Sequence, residues 1–148
     1  MKPTTLLLYL SLALGISAAP PSSAPGAPLA TLEDGVHEIT LEDLRDFKYR
    51  EGKRPPRRIR ALDGMRVSVT GFMALGTPEG VEEYQLISDS CGCDGLDKPN
   101  HFILVQLTDE TTTFTPDELT LTGILSVGEE LEDGFVTSLF RLKAESTE

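Results

Sequence analysis

The sequence predicts an all-β domain with one short N-terminal helix, built as a five-stranded OB-like barrel. Three observations predict it. Five segments of strand-like patterning follow one another within about eighty residues. Glycines interrupt that patterning where a small barrel needs kinks. A single short helical signal precedes the strands.

That helical signal is Thr40 followed by Leu41, Glu42 and Asp43, which resembles a capping box, with Leu41, Leu44 and Phe47 recurring at helical spacing. A short helix is therefore expected over Leu41 to Phe47. Pro55 and Pro56 forbid its continuation. The first strand is Met65 to Met73, where Met65, Val67, Val69 and Gly71 alternate with Arg66, Ser68 and Thr70. Gly76 to Gly80, with Thr77-Pro78-Glu79 inside it, reads as a turn into the second strand, Glu83 to Ser88. Phe102 to Leu107 is the third and most apolar strand. A loop containing Pro116 leads to the fourth, Leu119 to Val127, in which Gly123 marks a bend or bulge. Glu132-Asp133-Gly134 is a hairpin turn, and Phe135 to Lys143 alternates again as the fifth.

Upstream of the domain, Lys2, the apolar run Leu6 to Leu14 and the small residues around Ala18 read as a signal peptide over 1–18, and hence as an exported, periplasmic or secreted protein. The run is too short for a mature membrane span. The stretch from Ala19 to Ala30, rich in proline, serine and alanine, cannot offset its ordering entropy and reads as a flexible linker. The folded unit is then expected over 31–144 as a single domain.

The chain has a net charge of −11, from 13 Lys+Arg and 24 Asp+Glu, which argues against general nucleic-acid binding. The charge is unevenly distributed. Eight basic residues fall between Arg45 and Arg60, and the sequence from Ala61 onward is acidic. Arg54, Arg57, Arg58 and Arg60 are candidate partner-binding residues for an acidic protein or an anionic surface. The alternative is a solvated loop lying across the protein's own acidic face.

Cys91 and Cys93 are the only cysteines of the chain, one residue apart between the second and third strands. Two thiols that close serve either a soft metal ion or a sulfur redox couple. Zinc or copper(I) would take Cys91 and Cys93 as ligands, with Asp89 or Asp94 and His101 as additional donors. In an exported protein the two cysteines would pair with each other. A bond across one intervening residue closes a small ring that is easily reduced, which suits thiol–disulfide exchange. No Cys-x-x-Cys at a helix start accompanies them, and a turn whose sulfurs are merely structural is a third reading.

No Gly-x-Ser-x-Gly elbow and no phosphate-cradling glycine loop occurs, and the pairs Glu82-Glu83 and Glu129-Glu130 read as solvated surface. The expected function is non-catalytic.

The run Leu62-Asp63-Gly64-Met65-Arg66-Val67-Ser68-Val69-Thr70-Gly71-Phe72-Met73 resembles the opening of a family of bacterial exported domains of unknown function, with a "DGK-x-V-x-I-x-GFM" pattern. In that family the next strand leads to a Cys-x-His loop ending in Asn. Cys91, Cys93 and Pro99-Asn100 stand at the corresponding positions, and the resemblance extends over Leu41 to Ala144. Histidine and cysteine are interchangeable as metal ligands but not as disulfide partners, so a cysteine at the family's histidine favours metal over redox. The association of such proteins with lipoprotein-exporter-like ABC transporters implies an envelope protein or transporter subunit as partner.

Overall fold

The alternation read in the first strand becomes burial. In strand β2, Arg66–Met73, the side chains of Val67, Val69 and Met73 are buried while Arg66 and Thr70 are exposed. This computed structural model describes residues 35–93, 98–108 and 110–147; the signal segment and linker expected over 1–30 lie outside the described residues, as does Asp94. The other elements, in chain order, are β1 (His37–Ile39), α1 (Leu41–Arg45), α2 (Arg57–Arg60), β3 (Glu83–Ile87), β4 (Ile103–Gln106), β5 (Leu119–Glu132) and β6 (Phe135–Thr147).

Strands β2 to β6 pair in the order β2-β3-β4-β6-β5, and β5 returns to β2, so the pairings close into a ring. All ring pairings are antiparallel except β4 with β6. This connectivity is that of the five-stranded Greek-key OB arrangement. The ring turns its corner within β2, whose residues Arg66 to Gly71 pair with β5 while Phe72 and Met73 pair with β3. Gly71 sits at that change of partner. A Cβ there would lie 2.7 Å from the Ile87 carbonyl oxygen and 2.9 Å from Leu41 Cδ1, so only glycine admits the approach.

All five expected strands are present, with β5 and β6 running longer than expected to join at Asp133-Gly134. Those two residues have φ of 50° and 86°, the two positive values a type I′ hairpin requires. Helix α1 ends at Arg45, two residues before the expected Phe47. Its capping box is formed as read, with Thr40 Oγ1 accepting from the Asp43 N–H at 3.1 Å.

Two elements were not expected. Strand β1 has three residues and no alternation of its own; it exists through parallel pairing with Val67 to Val69 of β2. Helix α2 is a single turn inside the basic run read as loop. The Pro56 carbonyl accepts from Ile59 N and Arg60 N, and Ile59, 1% exposed, is the apolar residue that holds the turn against the core.

The interior is filled by one cluster that combines Val67 and Val69, Leu86, Val105, Leu125 and Phe140 from the ring with Leu41, Leu44 and Ile59 from the two helices. A smaller apolar cluster, Ala74, Ile87 and Phe102 with Phe72 and Leu104 beside it, is separate from this core.

Tyr84 is the costly member of the main core. Its hydroxyl is buried with no hydrogen-bond partner among the described residues, and burial pushes the phenol from 10.0 up to about 12. The fold therefore favours the protonated phenol. The stability this gives is complete below the unfolded value of 10 and drains away as pH rises toward 12. Tyr84→Phe should raise stability by about 1 kcal/mol at neutral pH by removing an unpaired buried hydroxyl, and should soften the alkaline loss. Urea midpoints at neutral and alkaline pH test this, and a destabilised variant would show that the hydroxyl has a partner.

Candidate functional site

The two cysteines lie on the loop between β3 and β4, after Ile87 and before Ile103. Both ends of that loop are tied to the barrel. At the start, Arg45 Nη1 of α1 donates to Ser88 Oγ at 3.1 Å. Toward the end, the Pro99 carbonyl accepts from Leu139 N of β6 at 2.9 Å, and His101 N donates to the Lys98 carbonyl at 3.0 Å. Asn100 is 3% exposed and packs the loop's base inward, with its Oδ1 buried and without a hydrogen-bond partner among the described residues.

Between these anchors Asp89 organises the turn. Its backbone carbonyl accepts from Gly92 N at 3.3 Å and its Oδ1 accepts from Cys93 N at 3.2 Å. Cys91 and Cys93 are joined as a disulfide, with Cα atoms 5.3 Å apart. Asp89 Oδ1 lies 2.9 Å from Cys91 Sγ, and a carboxylate oxygen and both sulfurs fall within 4.8 Å of one another. Both cysteines are exposed, while Asp89 is half-buried.

Of the residues singled out in the sequence, the fold thus brings together Asp89, Cys91 and Cys93. His101 stands outside this cluster, half-buried at the entrance to β4 with its backbone turned into the Lys98 turn. In the disulfide form the cluster offers no thiolate. After two-electron reduction it offers two sulfur donors and one oxygen, a set suited to zinc or, through the sulfurs alone, to copper(I).

The basic residues divide into two roles. Arg58 is used internally: Nη1 donates to the Asp43 carbonyl at 2.9 Å, and Nη2 to the Asp46 carbonyl at 2.6 Å and to Asp46 Oδ2 at 3.3 Å. It satisfies carbonyls at the end of α1 that the helix leaves open. Arg54, Arg57 and Arg60 are exposed, with no ion pair among the described residues. Arg54 and Arg60 border, with Lys53, a cleft of about 310 Å³ against Val127 and Gly128.

Glu129, read from the sequence as plain surface, holds this strip in place. Its Oε1 accepts from Tyr49 Oη and from Gly52 N, both at 2.8 Å. Burial and this carboxylate raise the Tyr49 phenol well above the usual tyrosine range. No sequence signal points to this contact, because the partners are 77 to 80 residues apart.

Fold and site together define an all-β domain whose five ring strands have OB-like connectivity, with a paired-cysteine turn on the loop between the second and third of them. Among solved structures it is similar to the crystal structure of a DUF3299 family protein from Pseudomonas aeruginosa, with 12% sequence identity and a TM-score of 0.50 over 76% of this chain and 95% of that one. The likeness is one of fold, to a member of a bacterial family of unknown function. No family model matches the chain, and no curated protein matches it. Among the described residues, no helix is long and apolar enough to cross a membrane.

Proposed function

We propose that this chain is a non-catalytic, exported binding module whose β3–β4 loop handles a soft metal ion, zinc or copper(I), through Cys91 and Cys93 with Asp89 beside them. The observation that carries the reading is the convergence of one carboxylate oxygen and both sulfurs within 4.8 Å on an exposed turn. Metal capture requires the reduced form. A dithiol reductant would transfer two electrons to the Cys91–Cys93 bond and itself become a disulfide, and the incoming ion would then displace the thiol protons, so affinity would fall as pH is lowered. Arg54, Arg57 and Arg60, exposed and without an ion pair among the described residues, support docking on an acidic envelope protein or transporter subunit, in a periplasmic or secreted setting.

The test is titration of zinc(II) and copper(I) into the reduced, metal-free chain while free thiols are counted. One ion bound per chain, with both thiols protected, is the expected result. Absence of binding would exclude metal handling. A second reading, thiol–disulfide exchange, is favoured by the two sulfurs being joined and exposed. Two thiols that reoxidise reversibly to the intramolecular bond without binding metal would put that reading first.

A further inference from the structure

We infer that the outer face of β3 and β4 is a peptide-binding trough, and that it takes an extended polypeptide segment of a partner protein carrying lysine or arginine beside apolar side chains. This is independent of the cysteine turn.

Tyr84 and Leu86 of β3, with Ile103 and Val105 of β4, fill the core, so the alternating residues Glu83 and Gln85, with Leu104 and Gln106, form the opposite face. Gln85 and Leu104 stand directly across from each other. On either side of this pair the surface is hollowed. One hollow, about 320 Å³, is bounded by the loop from Ala74 to Pro78; the other, about 460 Å³, is bounded by Glu130, Leu131 and Glu132 of the β5–β6 hairpin. Both hollows are lined by Glu83, Gln85 and Leu104, so they adjoin as one elongated depression.

Its chemistry selects the occupant. Among the described residues, the charged ones lining the two hollows are Glu83, Glu130 and Glu132, and no lysine or arginine lines either. Glu130 is matched by Arg141 at 3.4 Å, whereas Glu83 accepts from the neutral amide of Gln106 at 2.7 Å and makes no ion pair among the described residues. Phosphate-bearing ligands are repelled by such a face and cationic side chains are attracted.

Apolar side chains stand exposed at both ends of the depression, Leu75 at 61% and Leu131 at 62%, with half-buried Leu104 between them. A neutral sugar would require an open aromatic platform, and Phe102, the aromatic side chain of the hairpin-side hollow, is 3% exposed. Both edges of β4 are already paired, to β3 and to β6, so a partner cannot add as a strand there. Recognition must run through side chains across the face, and an extended chain presents alternate side chains at a spacing of about 7 Å that fits two adjoining hollows.

The test uses a short fluorescent peptide of alternating lysine and leucine, with a glutamate–leucine peptide as control, read by anisotropy against the full chain. Saturable binding of the lysine peptide alone is expected. It should weaken roughly tenfold or more in Glu83→Lys/Glu132→Lys and in Leu131→Ser, and remain unchanged in Cys91→Ser/Cys93→Ser. All substituted positions are exposed, so thermal melts should show these variants folded. Absence of binding, or binding unchanged by the charge reversal, would overturn the proposal. A concentration-dependent dimer in sedimentation that Leu131→Ser dissolves would overturn it in favour of a second copy of the chain. Binding of a neutral oligosaccharide but not of the peptide would overturn it in favour of a sugar.

Discussion

Gly123→Ala should destabilise the barrel by about 3 kcal/mol, at the upper end of what overpacking a closed interior costs. Gly123 lies in β5 between two strands at once, opposite Val67 of β2 and opposite Ala144 of β6, at a register shift in the β5–β6 ladder. A Cβ at this position would collide with the Lys143 carbonyl oxygen and stand 2.9 Å from the Ala144 Cα. Both obstacles are backbone, and no rotamer change moves them aside. Relief requires the two strands to separate, with loss of ladder hydrogen bonds beside the fully buried Leu121 and Leu125. Gly128→Ala in the same strand is the control: a Cβ there meets nothing within 4 Å, and the change should be neutral or raise stability by roughly 0.5 kcal/mol. Urea unfolding of the two variants separates close approach from a general loss of glycine. Equal midpoints for both would show that β5 and β6 do not approach as closely as described.

Cys93→Ser should weaken zinc capture by the reduced chain on the order of 100-fold or more while leaving the fold intact. A hydroxyl does not ionise as a thiol does, so one of the two soft donors is lost and with it the chelate. Asp89→Asn should cost less. The amide oxygen can still accept from Cys93 N and shape the turn, but it withdraws the negative charge beside the sulfurs. His101→Ala should leave affinity nearly unchanged, because His101 stands outside the cluster. Unaltered circular dichroism is expected for Cys93→Ser because both sulfurs are exposed and the core contains neither. The titration under Proposed function reads all three variants. Zinc binding that survives Cys93→Ser would remove the cysteine turn as the metal site.

The strands of the barrel were legible because a half-buried strand writes its two faces into alternate residues, as Val67 and Val69 do against Arg66 and Thr70. The hairpin at Asp133-Gly134 was legible for a similar reason, since few residue pairs accept two positive φ angles. Strand β1 was not legible. Three residues without alternation carry no periodic signal, and only the exposed edge of β2 gives them a partner. Helix α2 was hidden because four cations in six residues read as solvated loop, and the one residue that decides the matter, Ile59, becomes apolar anchor only when a core is present to receive it.

The site divides in the same way. Cys91 and Cys93 were visible as a pair, and Asp89 as their neighbour, because the elements of a tight turn are adjacent in sequence. The exclusion of His101, the internal use of Arg58 and the anchoring of the basic strip by Glu129 were not visible, because each depends on where separate strands and helices bring their side chains. Sequence by itself determined the all-β class, its strand segments and the adjacency of the two cysteines, all of which rest on local pattern and residue type. Only the tertiary structure decided which donors converge, which arginines have no ion pair among the described residues, and that the outer face of β3 and β4 is an acidic trough with apolar ends, because those properties come from distances between residues that the chain order does not encode.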